Sequence, residues 1–184
     1  NYSSPKQIGA LSNWSQVSCG NNWTMALKTD GTLWSWGYNI YGQLGLGNST
    51  YYSSPKQIGA LTNWSKINCG ASHAGVIKTN GTLWMWGYGY YGQLGLGNTV
   101  YYSSPKQVGS DTTWAQICCG LNFNTALRTN GTLWTWGQNA FGQLGIGTSG
   151  GLAFCKSSPT QVGSLTTWSL LVSTSRSSYA LAMI

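Results

Sequence analysis

The stretch DGTLWSWGYNIYGQLGLGN, residues 30–48, returns as NGTLWMWGYGYYGQLGLGN at 80–98 and as NGTLWTWGQNAFGQLGIGT at 130–148. Each copy opens on Asp-Gly or Asn-Gly, dipeptides that tolerate the positive φ angles of the tightest hairpin turns. Gly31, Gly81 and Gly131 are read as structural turn glycines on that ground. With Asp30-Gly31 as a two-residue type I′ turn, Lys28 pairs with Leu33, Leu27 with Trp34 and Met25 with Trp36. Leu27, Met25, Trp34 and Trp36 then share one face. Likewise Ile77 joins Trp84 and Trp86, and Leu127 joins Trp134 and Trp136. The opposite face carries Ala26, Val76 and Ala126 with Leu33, Leu83 and Leu133.

Outward from this hairpin the pattern continues. WSQVSCG (14–20), WSKINCG (64–70) and WAQICCG (114–120) read as a further short strand. SPKQIG (4–9 and 54–59), SPKQVG (104–109) and SPTQVG (158–163) read as the first strand of each unit, with proline at its start, where the missing N–H is harmless. Pro5, Pro55 and Pro105 lie fifty residues apart and Pro159 fifty-four further on, the extra four falling in SGGLAFCK (149–156). The chain therefore divides into units of about 1–50, 51–100 and 101–154 and a partial unit, 155–184, in one repeat domain. Four short strands per unit, apolar on both faces, must be sandwiched between sibling sheets. The fold class expected is all-β, a β-propeller of four-stranded antiparallel blades with about three and a half repeats, or half of a seven-bladed ring. An open β-solenoid is the alternative.

Composition agrees with a folded, charge-poor chain. Of 184 residues only 6% are charged, against an ordinary share of about 25%, while Trp and Tyr number eleven each. Disordered chains show the reverse, few aromatics and many charges. The net charge is +7, but no two basic residues are adjacent and arginines number two, which argues against a nucleic-acid surface. No apolar run approaches the ~18 residues of a membrane helix, so no membrane insertion is expected. The chain opens at Asn1, within the repeated pattern and without an initiator Met. That suggests processing or a portion of a longer protein.

Chemistry has little to stand on. The acids are Asp30 and Asp111. Asp30 is a turn residue, since Asn80 and Asn130 take its place, and Asp111 reads as a solvated loop acid. The lone histidine, His73, occupies a position filled by Trp23 and Phe123 in the other units, which points to space filling. Cys19, Cys69 and Cys119 share one repeat position and read as small apolar core residues. No CxxC or paired-histidine spacing exists. The expectation is no catalytic residue, no metal and no cofactor. GQLGLG lacks the following helix and Lys-Ser/Thr of a phosphate loop and reads as chain reversal. Trp34, Trp36, Trp84, Trp86, Trp134 and Trp136 are read as packing residues. The candidate partner-binding residues are the loop aromatics Tyr41, Tyr51, Tyr52, Tyr91, Tyr101, Tyr102 and Phe141, because loops carry recognition and Tyr offers large contact area at small entropic cost. Stapling one blade to the next is the other reading of the same rings.

The run GTLWxWGxNxxGQLGxG, with CGxxxxxALKTDG before it and SPxQV after it, resembles the repeat of the regulator of chromosome condensation family, in a divergent bacterial or phage-like version. The resemblance spans essentially the whole chain and implies a propeller, usually of seven blades. Of the histidine common in that family three residues after the strand-ending glycine, only His73 remains. The family also includes ultraviolet photoreceptors, whose tryptophans are ringed by arginines that this chain lacks. Close similarity among the units, together with a surface rich in Asn, Ser, Thr, Gly and Tyr, suggests a non-enzymatic structural or protein-interaction module. It would serve as a decoration, fibre or adhesion element on a virion or cell surface, self-associating or docking on a neighbouring structural protein. The resemblance implies an alternative, a cytoplasmic or nuclear propeller that binds a small GTPase, with nucleotide exchange, or chromatin. Binding of a surface glycan through exposed aromatics is a third reading.

Overall fold

A computed structural model describes residues 4, 6–9, 12–172 and 181–183 of the chain. Tyr2, Pro5 and the Ser173-Thr174 pair, which bear on the repeat pattern, lie outside them. Three four-stranded antiparallel sheets form three blades. The first comprises β1 (Trp14–Cys19), β2 (Trp23–Lys28), β3 (Leu33–Gly37) and β4 (Tyr52–Gln57). The second comprises β5 (Trp64–Cys69), β6 (His73–Lys78), β7 (Leu83–Gly87) and β8 (Tyr102–Gln107). The third comprises β9 (Trp114–Cys119), β10 (Phe123–Arg128), β11 (Leu133–Gly137) and β12 (Lys156–Gln161). A fourth, partial blade is the pair β13 (Leu170–Val172) and β14 (Leu181–Met183).

The SPKQ segment is the last strand of the preceding blade, not the first of its own unit. β4 pairs with β3, β8 with β7 and β12 with β11. Pro55 sits inside β4, not at its start. It falls where the register jumps between Ser35↔Lys56 and Gly37↔Tyr52, so the bulge absorbs the missing N–H on an outer strand.

The central hairpin is slipped by one residue from the type I′ expectation. Ala26 pairs with Trp34 and Leu27 with Leu33. The loop holds three residues, Thr29-Asp30-Gly31: Lys28 N–H donates to the Thr32 carbonyl (3.0 Å) and Gly31 N–H to the Lys28 carbonyl (3.0 Å). Only the glycine takes positive φ, at 78° in Gly31, 76° in Gly81 and 73° in Gly131. This is a type I turn closed by a left-handed glycine bulge. Asp30 is held by its own chemistry. Its Oδ1 accepts from the Thr32 hydroxyl (2.6 Å) and N–H (2.9 Å), and Thr32 Oγ1 accepts from Trp34 Nε1 (2.9 Å). Asn80 and Asn130 repeat the relay to Trp84 and Trp134. The hydrogen bonds from Thr32 hold the Asp30 carboxyl below its ordinary value.

Because side chains alternate, a one-residue slip exchanges the faces. Met25, Leu27 and Leu33 of the first blade pack against Trp86, Val76 and Ala74 of the second. Ile77, Leu83 and Met85 pack in turn against Trp136 and Ala126 of the third. The far face of the third blade, with Leu127 and Leu133, is covered by Leu171 and Ala182 of the partial blade. The tryptophan faces of the second and third blades thus meet the aliphatic face of the blade before them. Trp86 and Trp136 are fully buried. They donate to the Gln43 and Gln93 carbonyls in the preceding GQLG loop (2.9 Å each). On the first blade no such loop stands opposite among the described residues, so Trp36 is only half-buried and Val17 is 68% exposed. Cys69 and Cys119 are buried as expected of small apolar residues; Cys19, on that uncovered face, is exposed.

His73 shows why a histidine, a tryptophan and a phenylalanine serve one position. The ring lies over Gly70, as Trp23 lies over Gly20 and Phe123 over Gly120, each on a glycine whose β-carbon would occupy the ring's place. His73 is fully buried, with Nε2 2.8 Å from Asn124 Oδ1. Burial pushes its pKa down from 6.5 to about 4 despite that hydrogen bond. The unfolded chain therefore binds this proton first as pH falls, and folding stability drops across that interval, by on the order of 2–3 kcal/mol. Asp30 and Asp111 are held low, so among the described residues His73 dominates this interval. The urea midpoint is expected to fall between pH 7 and about pH 4.5 in the parent chain and to stay level in His73→Phe. Parallel profiles would contradict the assignment.

Candidate functional site

The connectors between β3 and β4 and between β7 and β8 bring the predicted aromatic residues together. Tyr38 follows β3 and packs on Tyr51 (4.8 Å between centroids), and the next unit repeats the pair as Tyr88 and Tyr101 (4.9 Å). Tyr41 crosses to that second pair, 4.8 Å from Tyr88 and 5.7 Å from Tyr101. Tyr90 stacks with Tyr88 at 6.3 Å and meets Tyr91 edge-on at 5.1 Å. Tyr41, Tyr88 and Tyr101 thus staple two blades, while Tyr51, Tyr90 and Tyr101 remain exposed. Exposed Ile40 and Val100 extend the same connectors. Burial among these rings, then the hydrogen bond with Tyr101, pushes the Tyr88 hydroxyl well up.

In the third unit Gln138 replaces the first tyrosine of the pair, and the eight-residue segment 149–156 carries exposed Leu152 and Phe154. Phe141 is 85% exposed. A groove of about 280 Å³ runs from Tyr90 and Tyr91 to Ala140 and Leu152, joining this connector to the tyrosine cluster. Tyr52 and Tyr102 lie elsewhere. They begin β4 and β8, half-buried against the blade cores, and their hydroxyls meet Asn48 Nδ2 (3.4 Å) and Asn98 Nδ2 (3.3 Å).

The loops that present these rings are pinned from within. Asn39 is fully buried. Its Oδ1 accepts from Leu44 N–H (2.9 Å), and its Nδ2 donates to the Asn48 carbonyl (3.0 Å) and the Thr50 carbonyl (2.9 Å). In the third blade Asn139 Oδ1 likewise accepts from Leu144 N–H (3.1 Å), and its Nδ2 donates to the Thr148 carbonyl (2.7 Å). Tyr41, Tyr91 and Phe141 each donate a backbone N–H to the glutamine two residues on. The first and third connectors are thus tied down at a buried asparagine, while the second, with Gly89 in that place, keeps the Gln93 contact.

Sequence reasoning passed over Tyr38, Tyr88 and Tyr90. The available signal was the tyrosine that follows WxWG in the first two units; Tyr90, which stands where the other units have Ile40 and Ala140, gave none. It also passed over a repeated cation. Lys28 Nζ lies 4.1 Å from the Trp34 ring centroid, Lys78 Nζ 3.8 Å from that of Trp84, and the Arg128 guanidinium 3.8 Å from that of Trp134. Trp14, Trp64 and Trp114 stand at their other sides, at 5.1, 4.7 and 4.7 Å. Burial moves the Lys78 ammonium's pKa down. Asp111 is no freely solvated acid: its Oδ2 pairs with Arg128 Nη2 at 2.7 Å. Burial alone would raise its carboxyl, but Thr113 and Arg128 hold it low.

The exposed rings offer area for contact. Asp30 and Asp111 are occupied in their own loops, and His73 is sealed in the core. Among the described residues no three Asp, Glu, His or Cys side chains gather around a common point.

Known proteins share this geometry. The family model of the regulator of chromosome condensation (RCC1) repeat matches residues 30–77, 80–127 and 130–178. A second family model of that repeat matches 14–43, 64–93 and 114–143. The ultraviolet-B receptor UVR8 of Arabidopsis thaliana is 51% identical over 47 residues, 24% of this chain and 11% of the receptor. Yeast RCC1 (Prp20), in its complex with Kap60, superposes with a TM-score of 0.80 at 20% identity, covering 97% of this chain and 44% of that one. Prp20p from Saccharomyces cerevisiae does so with a TM-score of 0.75 at 21% identity, over 86% and 40%. The chain thus spans less than half the length of these propellers. Blades, joints and matched repeats cover most of its length and lead to one conclusion: this chain belongs to the regulator of chromosome condensation (RCC1) repeat family.

Proposed function

We propose that this chain is a non-enzymatic protein-interaction module whose recognition surface is the tyrosine-rich face of its connectors. The observation that carries the reading is the run of partly exposed rings from Tyr51 through Tyr101 and Tyr90 to Phe141, on connectors pinned by Asn39 in the first, by Gln93 in the second, where Gly89 replaces the asparagine, and by Asn139 in the third. Large, rigid, amphipathic rings contact a partner with little further loss of entropy. Related propellers support a protein partner: Prp20p binds Gsp1p and histones, and yeast RCC1 (Prp20) binds Kap60. The charge-poor surface of Ser, Thr, Asn and Tyr supports display outside the cell or on a virion, as a decoration or adhesion element.

A photo-crosslinking residue placed at Phe141 or Tyr90, in intact cells or particles of the source, tests the reading. Both positions are expected to capture the same protein, or a second copy of this chain, while a crosslinker at the hairpin residue Thr79 captures neither. Equal capture from all three positions would count against a dedicated face. The second reading, a GTPase regulator, is favoured if the protein speeds GDP release from Gsp1p.

A further inference from the structure

Two grooves of nearly identical lining recur one blade apart, and no tyrosine lines either. The first, of about 400 Å³, is walled by Leu46, Ile58, Leu61 and Pro105, with the half-buried Trp84 indole as its platform and Gln57 and Ser104 beside it. The second, of about 410 Å³, has Leu96, Val108, Pro159 and Trp134 in the matching places. The two differ in charge. Asp111 stands where the first groove has Leu61, and Arg128, paired with it, lines the second. They differ also in polar capacity. Gln107 Nε2 is tied to the Gly109 carbonyl at 2.9 Å, whereas the Gln57 carboxamide makes no hydrogen bond among the described residues.

We propose that the first groove binds a neutral pyranose sugar. Lys78 Nζ lies 3.8 Å from the Trp84 ring centroid, in the place that Arg128 takes at Trp134, but it is buried there and no ionisable side chain forms the groove wall, which favours a neutral ligand. A pyranose presents an apolar C–H face to an indole and hydroxyls that both donate and accept. The Gln57 amide and the Ser104 hydroxyl supply matching groups of both kinds. The wall also contains the Trp64 N–H, which is buried and without an acceptor. In the second groove the Asp111–Arg128 pair and the engaged Gln107 leave less for such a ligand. Nothing in this site depends on the tyrosine face, so either assignment can fail alone.

The test is nuclear magnetic resonance of the tryptophan indole N–H signals during titration with maltotriose, cellotriose and triacetylchitotriose, and separately with a hexaproline peptide. At least one trisaccharide is expected to shift the Trp84 signal, with a dissociation constant of about 1 mM, typical of one shallow site. Leu61→Asp, which copies the charge of the second groove, and Gln57→Ala, at an exposed position, are each expected to weaken binding about tenfold. Asp111→Leu is expected to bring the Trp134 signal into the response. The proposal is overturned if no trisaccharide moves Trp84 at about 20 mM, if hexaproline moves it and the sugars do not, or if Leu61→Asp and Gln57→Ala, both folded by their indole dispersion, bind as the parent does.

Discussion

Truncating Trp86 to alanine is expected to destabilise the 184-residue chain by about 3–5 kcal/mol, the range for deleting a large buried aromatic. Trp86 is fully buried in the joint between the first two blades, among Leu27, Leu33 and Leu44. Its indole edge rests on Gly45, where a β-carbon would collide with it. Its N–H donates to the Gln43 carbonyl, which truncation leaves stranded in the joint. Trp136 occupies the same place one blade on, but there the Gln93 carbonyl also accepts from Asn124 Nδ2 at 2.7 Å, so the polar part of the loss is smaller. Trp36 is the internal control. It is half-buried and no blade stands against it among the described residues, so its truncation is expected to cost about 1–2 kcal/mol. Urea unfolding followed by tryptophan emission and far-ultraviolet circular dichroism measures all three. Equal losses at Trp36 and Trp86 would mean that the face of the first blade is covered after all, most simply by another copy of the chain.

Gly81→Ala is the second large effect, expected at about 2–4 kcal/mol. Two penalties act together. The residue has φ of 76°, a region that costs an alanine about 1–2 kcal/mol. The added β-carbon would also be driven into the carbonyl oxygen of Thr112 in the next blade, and overpacking of this kind costs about 1–3 kcal/mol. The two blades are also joined here by Trp114 N–H, which donates to the Gly81 carbonyl at 3.2 Å. Gly109 separates the two contributions. It has φ of 58°, but a β-carbon there would meet no atom within 4 Å, so Gly109→Ala is expected to lose only the conformational share. Equal midpoints for Gly81→Ala and Gly109→Ala would show that the contact with Thr112 relaxes freely.

The repeat, its count and its strand-rich character were legible in the residues, because Asx-Gly turns and WxW strands recur at fixed offsets. The register was not. Asp-Gly and Asn-Gly serve both a two-residue type I′ turn and a type I turn with a glycine bulge. The choice depends on whether Asp30 takes positive φ, and its hydrogen bonds to Thr32 keep it from doing so. That single slip moved Met25 and Leu27 to the face opposite Trp34 and Trp36. It also hid the cation, since Lys28 lies across from Trp14 on β1 and not beside Leu33. Of the candidate site, the loop aromatics were visible as residues of a known type in polar connectors. Which of them gather was invisible, because Tyr41 meets Tyr88 and Tyr101 across a blade boundary.

From sequence alone came a stack of small sheets that need siblings on their flanks, since local propensity and a fifty-residue period are properties of neighbours along the chain. Only the tertiary structure decided that each SPKQ strand completes the blade before it, that tryptophan faces meet aliphatic faces, and that Tyr52 and Tyr102 face the cores while Tyr51 and Tyr101 face out. The physical reason is that these outcomes are set by contacts between residues some fifty positions apart, where the fit of one blade against the next, and not the preference of any single segment, carries the energy.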